Sequence, residues 1–223
     1  MTMPVFINVY NRSSTTIKLA DQVARLGGDP ILIDNNSDWE PLLDWYSTCP
    51  YRVVRLQHNL GHLAPWTSGV VAESKAEFYA VSDCDLDLDG VPDDAFQRLL
   101  IPFTWRNGII KSGFSLRIDD LPPWQHTVKR WESRFWTKRT PCGQWYYSPI
   151  DTTFAVRERK TPHDIATRVV GVRSVRSAIT IRHVPWYLDG NNLDEENAHY
   201  FATANGSNSW RPNGRGLTAS YAR

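Results

Sequence analysis

Across 223 residues the chain carries 25 Lys and Arg against 24 Asp and Glu, and its 41% hydrophobic content fits one globular domain with a sizeable core. No apolar stretch approaches the roughly eighteen residues of a membrane span, and three widely spaced cysteines (Cys49, Cys84 and Cys142) fit reduced thiols rather than a disulfide framework or a zinc site. The net charge of +1 hides an asymmetry: residues 1–99 hold 7 Lys and Arg against 14 Asp and Glu, whereas residues 100–223 hold 18 against 10. A basic half of this kind suits an anion bound between the halves, or an anionic polymer laid over the basic side. Met1-Thr2-Met3-Pro4 leads directly into a strand without a signal-peptide pattern, so a soluble, cytoplasmic protein is expected.

Val5–Tyr10 is apolar almost without interruption, which predicts a strand buried on both faces, and Asn11-Arg12-Ser13-Ser14 supplies a turn with N-capping hydroxyls. From Thr15 to Leu26, Ile17, Ala20, Val23, Ala24 and Leu26 keep helical spacing, and Gly27-Gly28 closes the helix. Pro30–Asp34 repeats the strand, Asn35–Asp38 caps a helix over Trp39–Tyr46, and Tyr51–Leu56 is a third strand. A loop over 57–68 and a short helix over 69–75 precede a fourth strand. This alternation predicts an α/β, Rossmann-like architecture with a mostly parallel central sheet flanked by helices. Neither G-x-G-x-x-G nor a P-loop follows the first strand, so a dinucleotide fingerprint and a Walker-type cradle are absent.

In the second half, residues 107–118 read as a strand with two glycines, and Asp119-Asp120-Leu121-Pro122-Pro123 starts a helix running to about Thr137, with Asp as cap and Pro in the first turn. Trp145–Val156 is a strand interrupted near Pro149, and Ser177–His183 another. From Asn205 onward periodicity gives way to Asn, Gly and Ser, which predicts a flexible tail over 205–223.

The stretch that organises the chain is Phe78–Gly90. An apolar, aromatic run ends in Asp83, Asp85, Asp87 and Asp89, with Gly90 and Pro92 as turn residues. In an open α/β sheet the carboxyl rim of the strands is where ligands bind, and clustered carboxylates are ligands of Mg²⁺ or Mn²⁺. Asp85-x-Asp87-x-Asp89-Gly90 copies the start of an EF-hand loop, but Phe96 stands where the bidentate Glu belongs. Asp87, Asp89, Asp93 and Asp94 also suit turns and caps. Asp83 and Asp85 adjoin the buried strand, where an uncompensated carboxylate is costly.

These features resemble the nucleotide-sugar half of GT-A-fold glycosyltransferases, family 2-like: the strand-helix repeats, Asp34-Asn35-Asn36-Ser37, and Val81-Ser82-Asp83-Cys84-Asp85 in the place of the Asp-x-Asp motif. The resemblance implies a GT-A domain over 1–204, with a nucleotide-sugar half (1–100) and an acceptor half (101–204). It implies transfer from a nucleotide-sugar donor, UDP-linked, to a hydroxyl of a glycan, a protein or another molecule, polyanionic ones included. By position, Asp83 would meet the donor ribose or metal-bound water, Asp85 the Mn²⁺ or Mg²⁺, and His183 would complete the metal site. The end of the first strand (Val9, Asn11, Arg12) and the loop of Asp34 and Asn35 would hold the base. His62, Trp66, Lys111 and Gly113 are further donor contacts. Asp151 is the first candidate for general base and Asp120 the second; Asp151-Thr152-Thr153 stands where a Glu-Asp or Asp-Gln pair is usual. Trp124, Trp131, Trp136 and Trp145 are candidates for an acceptor platform, although Trp124, Val128, Trp131 and Phe135 also follow a helical core stripe. Two alternatives stay open: a sugar nucleotidyltransferase, against which stands the lack of a Gly-rich basic loop after the first strand, and a non-catalytic glycan- or nucleic-acid-binding protein.

Overall fold

An apolar strand flanked on both sides by other strands buries both of its faces, and the run Val5-Phe6-Ile7 does this. The computed structural model describes residues 2–105, 108–161, 170–174, 179–206, 208 and 210–219. In it, β1 (Met3–Val9) lies between β2 (Gly28–Asp34) and β4 (Phe78–Asp83), parallel to both, and β3 (Arg52–Arg55) adds a further parallel strand beside β2. Beyond β4 the sheet continues through β9 (Ala155–Glu158), β6 (Lys111–Gly113), β10 (Val170–Ser174) and β8 (Trp145–Pro149), in the order β3-β2-β1-β4-β9-β6-β10-β8. Only β9 and β8 run against the rest, so the sheet is mostly parallel. The expected α/β architecture is the one observed.

Helix α1 (Ser14–Arg25) lays Leu19, Ala20 and Val23, all fully buried, against this sheet, where Val5, Ile7, Leu32 and Ala80 are also sealed from solvent. Burial of each Leu, Ile or Val contributes about 1.5–3 kcal/mol. Helix α2 (Glu40–Tyr46), the short helices α3 (Ala64–Thr67) and α4 (Val70–Glu73), and α5 (Ala95–Leu100) follow as connections. A second, three-stranded sheet consists of β5 (Leu86–Asp87), β11 (Thr180–His183) and β7 (Ser115–Leu116).

Four segments differ from expectation. The described part of 107–118 divides at Phe114 into β6 and β7, which belong to different sheets. At that point Gly113 lies so close to the carbonyl of Phe154 that a Cβ would collide with it. The helix expected from Asp120 begins later, as α6 (His126–Ser133), because the chain must first pass Pro122-Pro123 and Asp120 is drawn to Arg182 and Tyr187. A helix not foreseen, α7 (Glu195–Thr203), is capped by Asp194, whose Oδ1 accepts from Asn197 N at 2.7 Å. Residues 210–219, expected as tail, form the hairpin β12 (Trp210–Asn213) and β13 (Gly216–Ala219). It is held by Leu217, 3% exposed, by Trp210 edge-on to Trp186 at 5.9 Å, and by Arg215 over the ring of Trp124 at 4.1 Å.

Candidate active site

The end of β4 pairs with β1, Asn8 opposite Asp83, and points Asp83 and Asp85 into a cavity of about 510 Å³ at the carboxyl rim of the sheet. Val184 N donates to the Asp85 carbonyl (2.9 Å), and β5 pairs antiparallel with β11, His183 opposite Leu86. That register brings His183 Nε2 to 3.5 Å from Asp85 Oδ1. The loop between β8 and β9 delivers Asp151, Thr152 and Thr153 to the same cavity, and Thr152 Oγ1 donates to Asp83 Oδ2 at 3.1 Å. Asp151 Oδ1 accepts from Thr153 N and Oγ1, both at 3.2 Å, so the residue both shapes its turn and faces the cavity.

Two buried cations hold this loop by its backbone. Lys111 Nζ donates to the carbonyl of Ile150, and Arg157 Nη2 to that of Asp151 at 2.8 Å; both side chains are fully buried. Burial pushes the Arg157 guanidinium down to about 10.

Electrostatically the cavity favours a cation. Burial, and then the negative charges of Asp85 and Asp151, hold Asp83 well above the ordinary carboxylate value. Burial lowers His183 although Asp85 opposes it, so the imidazole is neutral near pH 7 and has a lone pair to offer. Asp85 Oδ1 and His183 Nδ1 are buried without hydrogen-bond partners. Among the described residues no three His, Cys, Asp or Glu side chains form a ready-made metal cage. Mg²⁺ and Mn²⁺ sites of this type, however, complete their shell with waters and phosphate oxygens around one or two protein carboxylates, and the oxygen-plus-imidazole donors here fit that chemistry.

One internal cation is already present. Arg12, 1% exposed, lies with Nε 4.0 Å from Asp85 Oδ2, stacks 3.8 Å above Tyr200, and donates from Nη1 to Asn197 Oδ1 (3.2 Å). One part of the cavity wall is amide-rich: Asn35 Nδ2 donates to Gly61 O (2.9 Å), Leu60 N to Asn35 Oδ1 (2.7 Å), and Gly61 N to Asn59 Oδ1 (2.9 Å). Gly61 turns this loop at φ +74°, a left-handed conformation that favours glycine.

Of the residues singled out in the sequence, Arg12, Asn35, His62, Asp83, Asp85, Asp151 and His183 line the cavity. The others lie behind or away from it. Val9 is core, Asn11 pins the 37–39 loop through Asp38 N and Trp39 N, and the buried Asp34 carboxylate accepts from Arg55 Nε (2.9 Å) and Ser37 N (3.1 Å). Trp66 lies under Arg157 at 4.7 Å, and Lys111 and Gly113 support the 150–154 loop from beneath. Asp120 is on the surface with Arg182 Nη2 (2.7 Å) and Tyr187 Oη (2.6 Å), which hold its carboxyl below the ordinary value against the opposing effect of burial. Of the four tryptophans considered for a platform, only Trp131 reaches the cavity.

Asp87 and Asp89 face the other way. Lys18 Nζ donates to both (3.0 and 2.7 Å), as does Gln22 Nε2 (2.8 and 2.9 Å), so they dock the exit turn onto α1. Sequence reasoning missed Tyr200 and Phe201 on α7, and Asn8 and Asn59. For α7 the signal was Asp194-Glu195-Glu196 ahead of an aromatic pair. Glu196 also accepts from Ser13 N (2.8 Å), Ser14 N (3.0 Å), Ser14 Oγ (2.6 Å) and Ser13 Oγ, capping α1 from a distant segment in place of the expected local hydroxyls.

No family model and no curated protein sequence matches the chain. Among solved structures, the S. aureus TarS fragment 1–349 superposes with a TM-score of 0.50 at 12% identity, over 83% of this chain and 61% of that one. The fold is of the GT-A type. GalNAc-T7, crystallised with UDP, GalNAc and Mn²⁺, is similar at a TM-score of 0.48 and 17% identity, over 75% of this chain and 37% of that chain. The Anaerococcus prevotii 4-diphosphocytidyl-2C-methyl-D-erythritol synthase is similar at 0.40 and 10%, over 71% and 70%. The GT-A-like chain thus spans under two thirds of TarS 1–349 and of GalNAc-T7. Among its described residues no helix is long and apolar enough to cross a membrane.

Proposed function

We propose that this protein is a metal-dependent glycosyltransferase that moves a sugar from a nucleotide-sugar donor, UDP-linked, to an acceptor hydroxyl. A fold hosts many functions, so the reading rests on the site. The observation that carries it is the convergence of Asp83 and Asp85, His183, and Asp151, from three separate segments, on one cavity at the end of β4.

In this reading Asp85 and His183 hold Mn²⁺ or Mg²⁺, and Asp83 meets the donor ribose or a metal-bound water. When bound, the ion neutralises charge on the departing diphosphate. Asn8, Asn35 and Asn59 offer amides to the base, and the Arg12 guanidinium faces the phosphates. In an inverting transfer Asp151 accepts the acceptor's hydroxyl proton. That oxygen bonds to the anomeric carbon while the bond from this carbon to the diphosphate oxygen breaks and its electron pair leaves with the nucleotide.

The test is release of UDP from a panel of sugar nucleotides with Mn²⁺ and then with EDTA, alongside melting with and without UDP and Mn²⁺. Turnover that EDTA abolishes is expected. No turnover and no nucleotide-dependent rise in melting temperature would reject the proposal.

A further inference from the structure

We infer that the acceptor is an anionic carbohydrate, a hydroxyl-bearing chain carrying phosphate or carboxylate groups, steered into the cavity by the basic, aromatic segment 129–139; this rests on the glycosyltransferase reading above. The segment contains Lys129, Arg130, Arg134, Lys138 and Arg139 and a single acidic residue, Glu132. All five basic side chains are exposed, Glu132 is 2% exposed, and none of the five makes an ion pair among the described residues. Several exposed arginines elsewhere are neutralised, Arg25 by Asp93, Arg52 by Glu73, Arg98 by Asp94 and Arg215 by Asp189, while Lys75, Arg159 and Arg211 are exposed without an ion pair among the described residues. Those three stand singly, whereas 129–139 gathers five such cations in one continuous strip.

The strip is also continuous with the cavity. Trp131 and Phe135, one turn apart and edge-to-face at 6.1 Å, line the cavity from α6 and the turn after it. The Arg134 guanidinium lies 3.6 Å from the centroid of Trp131, and Arg130 is one helical turn before it. Lys138 and Arg139 are near the faces of Tyr147 and Tyr146, at 5.6 and 5.5 Å. Aromatic faces suit the apolar side of a sugar ring, and guanidinium groups without a carboxylate partner suit phosphate or carboxylate. A chain carrying both chemistries, threaded along 129–139 toward Asp151, meets each in turn. A neutral glycan would leave these cations without an anion.

The experiment titrates the full chain, by tryptophan fluorescence, with oligogalacturonate (carboxylate), a phosphorylated maltooligosaccharide (phosphate), uncharged maltoheptaose and single-stranded DNA, between about 0.05 and 0.5 M salt. Saturable binding of at least one charged saccharide, weakening with salt, is expected, with the better of the two identifying the charged group. R130E/R134E should lose about tenfold or more in that affinity, while R130K/R134K, which keeps the charge, should bind more tightly than the reversed variant. Both variants are checked by circular dichroism and by UDP–Mn²⁺ titration, which should match wild type. Equal binding of maltoheptaose, or an R130E/R134E variant that binds the charged saccharides as wild type does, would overturn the inference. So would DNA binding more tightly than either saccharide through the same arginines, which would make the partner a nucleic acid. If UDP–Mn²⁺ fails to bind wild type while a charged saccharide binds in an arginine-dependent way, the donor assignment falls and the strip stands.

Discussion

Between Asp85 Oδ1 and His183 Nε2 the gap is 3.5 Å, and the unpartnered Asp85 Oδ1 is buried where its charge already disfavours ionisation of Asp83. Replacing Asp85 with Asn relieves repulsion on Asp83 but also takes the counter-charge from the buried Arg12 guanidinium, and the two effects oppose each other. The Asp85→Asn variant is therefore expected to keep its fold, read by circular dichroism, while Mn²⁺-dependent turnover falls about 10²–10³-fold. Full activity would assign the metal to another carboxylate. Asp151→Asn is expected to lower kcat about 10²-fold or more with UDP affinity unaffected, read from steady-state kinetics beside a UDP titration. Equal losses in kcat and UDP affinity would instead mark Asp151 as a donor contact. Asp83 and Asp85 were legible from the apolar run before them, and Asp151 only through the family resemblance. Tyr200 and Phe201 were not, because nothing local distinguishes an aromatic pair that walls a cavity from one that fills a core.

At the scale of elements, α1 is tied at both ends by distant carboxylates. Near its carboxyl end, Lys18 and Gln22 hold Asp87 below its ordinary value of 3.8 although burial acts in the opposite direction. A carboxyl lowered in the fold contributes stability that is present above the unfolded value and lost as pH falls through the folded one. The contribution of Asp87 thus disappears below about pH 4, and urea midpoints of wild type should fall more steeply than those of Asp87→Asn between about pH 5 and 2.5. Parallel curves would deny the coupling. At the other end, Glu196 takes four donors from Ser13 and Ser14. Glu196→Ala should cost about 1–2 kcal/mol and speed amide exchange over 195–203 ahead of the sheet. Unchanged exchange in α7 would show that other contacts hold it. The helix α1 itself was readable from apolar spacing. Its cap was not, since the acceptor comes from a segment that only the fold brings near.

For the whole molecule, the parallel half was legible because buried strands alternating with helices leave few arrangements open. The second half was harder to read. Its strands are two to five residues long, change sheets at Phe114, and are set by close backbone approach at Gly113 rather than by periodicity. The hairpin over 210–219 was hidden by its polar composition, although Trp210 and Leu217 give it a hydrophobic hold. The site draws on both halves, and the wall that α7 contributes, Tyr200 and Phe201, is a part of it that the sequence did not mark.

Helix α7 buries only Asn197 fully, and its hold on the rest of the molecule runs largely through Glu196, His199 to Asp38 at 2.8 Å, and Thr203 to Asn11 at 3.0 Å. An element whose aromatic side chains, Tyr200 and Phe201, are only half-buried and whose remaining contacts are polar opens at a lower free energy than the sheet. Tyr200, Phe201 and the stack that orients Arg12 belong to it, so a ligand that touches this wall binds only the docked fraction. If that fraction fell tenfold, apparent affinity would fall tenfold with every contact to the ligand intact. Substitutions at Asp38 or His199, neither of which lines the cavity, thus offer a way to tune ligand affinity without altering the cavity's own side chains.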